Sequence, residues 1–377
     1  MMAKVLIVCG GTGGHLTPGI AIAEELLLRG CACTLVVSRK KVDARLIRNY
    51  PNLEFVEAPG APFSWNPLPL VKFLWVQTTA FIFALKLLSK NKPDLILGFG
   101  GFVTAGIALP GFLKGIPFAL HEANRVVGRS NRFLSRFADR VFLPVGVELP
   151  HLHTEKIQFA GLPLRKEFVP MTREVAREQL GISPSKKLLV VFGGSQGAHS
   201  LNKWAQDCVG LLAEKGVSLY CLTGLRNEMP SEVVTETDSF GTVRSWFVPF
   251  SDSMPVVLSA ADAIISRAGA GSIGEIVRCR VPAILVPYPF ARDDHQTANA
   301  QYLVARNAAK IVEESNLACL LEEVTDLIFD DSQSSDLREN QSKMDQPDEA
   351  RLLADSLDNM ISSNLDHQGA AIPPTEA

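Results

Sequence analysis

Two glycine-rich turns of similar make lie in opposite halves of this 377-residue chain, GGTGGH at residues 10–15 and GGSQG at residues 193–197. Each follows an apolar run that predicts a buried strand and precedes a segment that predicts a helix. Glycine lets the backbone approach a ligand closely, and the amino end of a helix carries about half a positive charge. Both turns therefore suit an anion, and their repetition predicts two similar domains facing one cleft.

Apolar runs alternate with helix-like segments in both halves, which is the order expected of parallel sheets covered by helices. The predicted strands of the first half are Lys4–Cys9, Cys33–Val37, Leu53–Glu57, Leu95–Gly98, Pro117–Leu120 and Arg140–Leu143. Those of the second half are Lys187–Phe192, Ser218–Leu222, Val243–Val248, Ala263–Ser266 and Ala283–Val286. Each series predicts a doubly wound α/β unit.

The boundary between the two domains is predicted near Gly161–Arg165, where a glycine and a proline interrupt the pattern. Residues 1–163 would form the first domain and residues 164–347 the second. A polar stretch then leads into a last helix at about residues 348–362. Residues 363–377 contain two prolines and no apolar periodicity, so they predict a disordered tail.

The charge and cysteine content exclude several classes of protein. With 37 basic and 40 acidic residues the net charge is −3, which gives no sign of nucleic-acid binding. The seven cysteines are scattered, without a C-x-x-C pair, and indicate a reducing compartment. Asp293, Asp294 and His295 suggest a metal site, but no second cluster with ligand spacing supports one, so we expect neither metal nor cofactor.

The segment Leu70–Leu88 is apolar over 19 residues, about the minimum length for a membrane span. Lys72, Gln77 and Lys86 interrupt it, and further lysines follow it. Two interpretations stay open at this point. One is a helix that lies on a membrane surface, and the other is an ordinary core helix of the first domain.

Neither turn fits a dinucleotide site, the usual purpose of a strand, glycine turn and helix. That site needs G-x-G-x-x-G and an acidic residue about 20 positions later. The strand after the first turn ends at residues 37–40, VSRK, and the strand after the second ends at Thr223–Gly224. An oxidoreductase is therefore disfavoured, while a tight turn without a ligand remains an alternative for either turn taken alone.

His15 is the first candidate for catalysis, because it stands at the start of a helix where the positive dipole lowers the pKa of an imidazole. A neutral imidazole is the form that a general base needs. A lone histidine is more often structural, but this one should lie at the carboxyl edge of the sheet, where such folds bind ligands. His121–Asn124 (HEAN) ends another predicted strand and should reach the same edge, with loop capping by Asn124 as the alternative.

The densest group of candidate binding residues is Ser266–Glu275, SRAGAGSIGE, where small residues open a helix. The free N–H groups of that helix and the Ser272 hydroxyl suit a diphosphate, and Glu275 suits a vicinal diol such as that of ribose. Downstream, Pro287–Asn299 offers amide and carboxylate groups to sugar hydroxyls.

Seven motifs occur here in the order typical of one family. They are GGTGGH, GFGGFVTAG, HEAN, a G-x-P-x-R junction, GGSQGA, the helix R-x-G-A-x-S-x-x-E and HQTANA. Over residues 3–360 the chain resembles the MurG family, bacterial enzymes that convert lipid I to lipid II in peptidoglycan synthesis. The resemblance implies the GT-B fold, two Rossmann-like doubly wound domains facing a cleft, with a C-terminal helix crossing back to the first domain. It also implies an inverting, metal-independent transfer in one displacement.

The resemblance further implies the residues of the site. His15 would be the base, or would position the C4 hydroxyl of the muramyl acceptor. Ser195 and the helix at Ala270 would contact the diphosphate, and Gln296, with His295 and Asn299 as neighbours, would meet the sugar hydroxyls. The implied UDP-N-acetylglucosamine residues are Thr12, Gly13, Gly14, Asn124, Arg165, Ser195, Ser251, Ala270, Gly271, Ser272, Ile273, Gly274, Glu275 and Gln296.

The implied partners are UDP-N-acetylglucosamine, lipid I and the membrane surface, with the enzyme peripheral on the cytoplasmic face of the inner membrane. This chain departs from the family at Leu162, where asparagine is usual before the proline, so Arg165 is carried over less firmly. Two alternatives stay open: a related glycolipid synthase with a diacylglycerol acceptor, and a sugar-nucleotide binding protein without catalysis.

Overall fold

A computed structural model describes residues 2–10, 13–38, 45–60, 67–183, 186–194, 196–225 and 231–370, with backbone alone at 13, 67–74 and 365–370. Contacts divide the chain into two compact units. Unit 1 comprises Met1–Ala123, Val127–Arg165 and Pro347–Ala377, and unit 2 comprises Asn124–Val126 and Lys166–Gln346. The chain therefore passes between the units four times, after residues 123, 126, 165 and 346.

The strands of unit 1 are β1 Lys4–Val8, β2 Ala32–Ser38, β3 Glu54–Ala58, β4 Leu95–Gly98, β5 Phe118–His121, β6 Arg140–Leu143 and β7 Ile157–Phe159. Those of unit 2 are β8 Lys187–Phe192, β9 Val217–Leu222, β10 Ser231–Thr237, β11 Gly241–Val248, β12 Ala263–Ser266, β13 Ala283–Leu285 and β14 Lys310–Ile311. The helices, in chain order, are α1 Gly13–Leu28, α2 Pro67–Asn91, α3 Gly101–Leu113, α4 Arg129–Leu134, α5 Arg173–Leu180, α6 His199–Glu214, α7 Met254–Ala260, α8 Ala270–Cys279, α9 His295–Val304, α10 Leu320–Phe329, α11 Asp331–Met344 and α12 Glu349–Ala370.

The two sheets have similar strand orders, which differ at the edge formed by β10 and β11. The first runs β3-β2-β1-β4-β5-β6-β7, with every neighbouring pair parallel. The second runs β10-β11-β9-β8-β12-β13-β14, parallel except for the edge pair β10 and β11. In both sheets the strand order reverses beside the first strand of the unit, between β1 and β4 and between β8 and β12. Ligands of doubly wound sheets bind at this switch point, outside the carboxyl ends of the strands.

Each glycine-rich turn lies at such a switch point. The first joins β1 to α1, and the second joins β8 to α6. In unit 1 the loop after β4 lies at the same edge as the first glycine turn. In unit 2 the loop after β12 lies at the same edge as the second. Strands β4 and β12 are fully buried and β8 is buried from Leu188 onward, because helices cover both faces of a parallel sheet.

All eleven strands predicted from the sequence are present, which confirms the predicted α/β class, but three strands were missed. The missed strands are β7, β10 and β14. The sequence of β10, SEVVTET, leaves about every second side chain exposed, so it lacks the apolar run that marked the buried strands. Strand β14 has two residues, too few to form a pattern.

The last helix is longer than predicted. Helix α12 continues to Ala370, so residues 363–370 are helical and the prediction of a tail beginning at 363 is wrong for them. The reason is local, since no proline interrupts the chain before Pro373. Residues 371–377 lie outside the described residues.

Helix α12 packs within unit 1. Leu353, Leu357 and Ile361, spaced four residues apart on one face, are buried in the same apolar cluster as Leu16 and Ile20 of α1. Beside that cluster, Arg29 forms ion pairs at 2.7 Å with Asp355 and with Asp358.

Helix α2 contains the apolar segment Leu70–Leu88, and its two faces differ in solvent exposure. Ala80, Ala84 and Leu88 are buried in unit 1, whereas Trp75 is 72% and Ile82 49% exposed. Among the residues described, no helix is long and apolar enough to cross a membrane.

Candidate functional site

In unit 1 the carboxyl edge of the sheet brings His15 and His121 together. His15 is the third residue of α1 and is half-buried, and His121 is the last residue of β5. The His15 ring lies 3.7 Å from where a Cβ on Gly101 would stand, at the start of α3, where φ is +79°. A side chain there would be strained by this φ, and its Cβ would lie 3.2 Å from the Gly10 carbonyl oxygen, which explains a glycine at the start of this helix.

His121 is held neutral behind His15. It is 1% exposed, and burial lowers its pKa below the usual 6.5, an effect that the charge of His15 reinforces. Its Nε2 lies 3.0 Å from the carbonyl oxygen of Gly161, which only accepts, so Nε2 carries the proton. Nδ1 then has a lone pair, and within the described part of the chain nothing donates to it.

The turn after β5 is fixed by Glu122, a buried carboxylate. Its Oε2 accepts hydrogen bonds from the Gly128 N–H and from Nδ2 of Asn131, both at 2.9 Å. Of the HEAN motif, His121 and Glu122 are therefore interior groups, and Asn124 is only half-buried.

In unit 2 the second glycine turn is pressed against the end of β9. The Gly197 N–H donates to the Gly194 carbonyl at 2.9 Å, and Gly197 has φ +72°. A Cβ there would lie 2.1 Å from the carbonyl oxygen of Thr223, so only glycine fits. Ser195, inside this turn, lies outside the described residues.

Helix α8 begins at the same edge, after β12. Gly269 occupies the N-cap position, with no side-chain cap, and the first turn contains no acidic residue. Residues 270–275 are all half-buried. The amino end of α8 thus combines N–H groups that its N-cap glycine cannot cap with a positive helix end, an arrangement that suits a diphosphate.

A hydrogen bond from the loop after β13 orients the side-chain amide of Gln296. The Tyr288 N–H donates to Gln296 Oε1 at 2.9 Å, so Nε2 is the end of this amide available to a hydroxyl or carbonyl oxygen. His295 Nδ1 lies 2.8 Å from the Arg292 carbonyl and donates to it. Among the described residues, no three His, Cys, Asp or Glu side chains are placed to hold a metal ion.

Asn299, on α9, is engaged with protein groups at both ends of its amide. It is 3% exposed. Its Oδ1 accepts from the Arg125 N–H at 2.9 Å, and its Nδ2 donates to Asn124 Oδ1 and to the Ala268 carbonyl, both at 3.1 Å. The sequence placed Asn299 beside the sugar hydroxyls and did not predict this pairing with Asn124. The signal for it is an asparagine in each of two separate motifs, HEAN and HQTANA.

Arg267, which precedes α8, is buried and links several segments of unit 2. Its guanidinium donates to the carbonyls of Val286 and Pro287 and to Ser200, and it forms a 2.6 Å ion pair with Glu314. Burial acts to raise the pKa of Glu314, but hydrogen bonds from Arg267 and Ser200 lower it below its ordinary value. Arg267 thus joins β13 and α6 to the loop that carries α8.

The other predicted site residues fall in both units. Arg165 is buried in unit 1, where it donates to the Tyr50 hydroxyl at 3.0 Å, and Ser251 in unit 2 accepts from the Ser253 N–H at 3.1 Å. Gly13 and Gly14 begin α1. Thr12 lies outside the described residues. The structure gathers His15, Gly13 and Gly14 at one switch point and residues 270–275 at the other.

Comparison with known proteins identifies the class. Residues 5–143 match the glycosyltransferase family 28 N-terminal domain, and residues 188–357 match the family 28 C-terminal domain. The structure is similar to that of a kitacinnamycin glycosyltransferase, at TM-score 0.69 and 17% identity over 95% of this chain and 99% of that one, which shows the fold alone. The two doubly wound units therefore have the GT-B architecture of a glycosyltransferase.

More similar sequences narrow this class. The UDP-N-acetylglucosamine–N-acetylmuramyl-(pentapeptide) pyrophosphoryl-undecaprenol N-acetylglucosamine transferase of Opitutus terrae is 45% identical over 96% of both chains. That of Halothermothrix orenii is 33% identical over 91% of this chain and 95% of its own. The crystal structure of Acinetobacter baumannii MurG matches at TM-score 0.68 and 26% identity, over 95% of this chain and 99% of that one. The chain belongs to the MurG family.

Proposed function

We propose that this chain transfers N-acetylglucosamine from UDP-N-acetylglucosamine to the C4 hydroxyl of the muramyl unit of lipid I, giving lipid II for peptidoglycan synthesis. Its relatives are named for this transfer. The observation that carries the proposal is the amino end of α8, where the N-cap residue Gly269 provides no side-chain cap, at the switch point of unit 2. It supplies the electrostatic stabilisation that a departing nucleoside diphosphate needs.

Unit 2 supplies the donor site in this proposal. N–H groups of α8 and of the turn at 193–197, including Ser195, hold the diphosphate. Glu275, half-buried one turn into α8, accepts from the ribose hydroxyls, and Ser251 lies by the uracil. Nε2 of Gln296 donates to an oxygen of the sugar.

Unit 1 supplies the acceptor chemistry. The acceptor oxygen attacks C1 of the sugar on the face opposite the diphosphate, so the new C–O bond forms as the bond to phosphate breaks and the configuration inverts. His15 takes the proton of the attacking hydroxyl. His121 stays neutral, so it places no second positive charge beside the imidazolium that forms.

The outer face of α2 supports a role at a membrane surface. Trp75, Phe81 and Ile82 are exposed there, together with Lys86 and Lys90. Apolar side chains among lysines suit an interface with anionic headgroups. We place the enzyme, peripherally, on the cytoplasmic face of the inner membrane. Replacing Ile82 with serine is expected to weaken flotation with anionic vesicles, and Val234→Ser, an equally exposed site in unit 2, is not; equal flotation of both variants would contradict this placement.

A transfer assay tests the proposed activity. Purified protein is given UDP-N-acetylglucosamine with a lipid I analogue or with diacylglycerol, side by side, in EDTA. We expect product from lipid I alone and no loss of rate in EDTA. Product from diacylglycerol alone would favour a glycolipid synthase. A protein that binds UDP yet transfers to neither acceptor would be a binding protein, and the proposal would fail.

A further inference from the structure

The loop after β13 carries an aromatic ring at the ligand-binding edge of unit 2. Phe290 is 82% exposed, more than any other Phe, Tyr or Trp side chain in the part of the chain that the structure describes. Exposed apolar side chains occur singly on most proteins, so exposure alone indicates no site. This ring differs because its backbone and its neighbours fix where it lies.

Hydrogen-bonded turns fix the backbone around Phe290. The Ala291 N–H donates to the Tyr288 carbonyl at 3.0 Å and closes a four-residue turn. Pro289 occupies the second position of this turn, where its ring restricts φ. The Asp294 N–H donates in turn to the Ala291 carbonyl, also at 3.0 Å. The loop therefore presents Phe290 from a backbone of defined shape.

A stack of side chains supports the Phe290 ring. The ring meets Tyr288 edge to face, with 5.7 Å between the ring centres and 70° between the ring planes. The buried guanidinium of Arg267 lies 5.3 Å from the centre of the Tyr288 ring. Arg267 is itself anchored, since it donates to the carbonyls of Val286 and Pro287. The stack thus runs from a buried charge to an exposed ring, and it leaves most of the surface of Phe290 open.

The register of the sheet places this loop next to the loop that leads into α8. Ser266, the last residue of β12, is paired with Leu285 of β13, and the Val286 N–H donates to the Ser266 carbonyl at 2.7 Å. Neighbouring strands are about 4.8 Å apart, so the loops after β12 and β13 leave the sheet side by side. The first leads into α8, and the second carries Phe290 and orients Gln296. A sugar linked to a diphosphate at α8 therefore lies within reach of the second loop.

A sugar ring offers two kinds of surface to a protein. Its hydroxyl and N-acetyl oxygens accept hydrogen bonds, and its C–H groups form apolar patches that suit the face of an aromatic ring. Nε2 of Gln296 is a partner for the oxygens. Phe290 makes no hydrogen bond through its side chain, so it is a partner for the C–H groups. Ligand sites typically combine aromatic side chains with a few placed polar groups in this way.

We propose that Phe290 is a sugar-binding residue, whose ring packs against the C–H groups of the N-acetylglucosamine part of the donor. This rests on the proposed function, because it assigns a further residue to the same donor. The contact adds affinity for the sugar and none for the nucleotide. Tyr288 and Arg267 hold the ring in place for it.

Phe290→Ser tests the proposal without a threat to the fold, because the exposed ring is not part of the core. We expect Kd for UDP-N-acetylglucosamine to rise about tenfold, through lost apolar burial and aromatic contact. Kd for UDP should stay at its wild-type value. Phe290→Tyr keeps the ring and should keep most of the affinity. Isothermal titration calorimetry measures these constants.

Two further comparisons make the result specific. Phe329→Ser removes a ring that is 52% exposed at the end of α10, and it should leave both constants unchanged. That site is remote, since Asp331, two residues later, contacts Lys187 at the start of β8, the opposite edge of the sheet. Phe290→Ser is also made in a Gln296→Ala protein. A ring that contacts the sugar itself costs affinity in that background too, whereas a ring that acts only by supporting the Gln296 amide costs nothing further.

The outcomes distinguish the proposal from its alternatives. An unchanged Kd for UDP-N-acetylglucosamine in Phe290→Ser would overturn it and assign the ring to another partner. An equal loss of affinity for UDP, or no further loss in the Gln296→Ala protein, would overturn it as well, because either marks a structural role. A wild-type protein that binds UDP-N-acetylglucosamine but transfers nothing to lipid I defeats the proposed reaction, while the affinity comparison still decides the role of Phe290. A wild-type protein without affinity for the nucleotide sugar would remove both.

Discussion

His121 links the acceptor edge of unit 1 to the pH dependence of folding. Its pKa is lowered by burial in the folded protein and is near 6.5 in the unfolded chain. Below about pH 6.5 the unfolded state therefore binds a proton that the folded state does not, and the free energy of unfolding falls as the pH falls. Replacing His121 with glutamine should flatten this dependence between pH 7.5 and 5, measured by urea unfolding. His153→Gln, at an exposed site, should keep the wild-type slope; a wild-type slope in the His121 variant would contradict the assignment.

His15 and Glu275 should separate turnover from binding. His15→Ala removes the proton acceptor, so we expect kcat to fall by about 10² to 10⁴ with little change in donor affinity. Glu275→Ala removes the partner of the ribose hydroxyls, so we expect Kd for UDP to rise about tenfold. Steady-state kinetics and calorimetry measure both. Undiminished kcat in His15→Ala would leave that residue without a catalytic role.

At the scale of single residues, the sequence predicted types of chemistry better than partners. The start of α8 and the position of His15 at a helix start follow from local patterns of glycine, small and apolar residues. The pairing of Asn124 with Asn299 does not, because it joins residues 175 positions apart. Tertiary packing decides which polar group contacts a ligand and which one orients a neighbouring side chain. The local spacing of residues in the sequence does not encode that choice.

Helix α12 gives a test at the scale of elements. Leu357 is fully buried among residues of α1 and the first sheet, so Leu357→Ala should lower the free energy of unfolding by about 2–5 kcal/mol through lost burial and a cavity. Leu352, on the same helix, is 47% exposed, and Leu352→Ala should cost less than about 1 kcal/mol. Chemical denaturation measures the difference. Equal costs would mean that α12 does not depend on its apolar face.

Helices and strands were predictable where the sequence shows one clear hydrophobic pattern. Buried strands such as β8 are continuous apolar runs, and they were found. Helix α2 left two interpretations open, because apolar residues occur on all its sides. The structure shows small alanines turned inward and Trp75 and Ile82 turned outward, so the helix packs in unit 1 with one face and leaves bulky apolar side chains exposed on the other. Leu87 and Leu88 are buried as well, so apolar residues occur on both faces and only the packing against unit 1 distinguishes them.

The seven cysteines report on the molecule as a whole. None of them forms a disulfide, and burial raises the pKa of Cys33, Cys221 and Cys279 to about 12. Because the thiolate is the reactive form, these three should resist alkylation until the protein unfolds, whereas the half-buried Cys208 and Cys319 should react first. Mass spectrometry of peptides after brief iodoacetamide treatment would show the order. Early labelling of Cys221 in native protein would contradict the buried core of unit 2.

At the largest scale, two glycine turns were enough to predict two similar units, because both sheets reverse their strand order beside the first strand. A turn after the first strand of each unit lies where the strand order reverses, so the same local sequence recurs at the same place in the sheet. The sequence did not indicate that Asn124–Val126 belongs with unit 2, because nothing in those three residues differs in composition from their surroundings.

The assignment of Asn124–Val126 to unit 2 restricts how the domains of such enzymes can be exchanged. A cut after Arg165 yields a piece, 166–346, that lacks Asn124–Val126. In that piece the Asn299 amide loses its contacts with Arg125 and Asn124, and the Tyr302 ring loses the Arg125 guanidinium. A chimera meant to exchange donor specificity must therefore transplant two separate segments, three residues from the middle of one module together with the whole of the other. A swap made only at the junction after Arg165 would transfer α8 and α9 without the Asn124–Val126 segment that contacts Asn299.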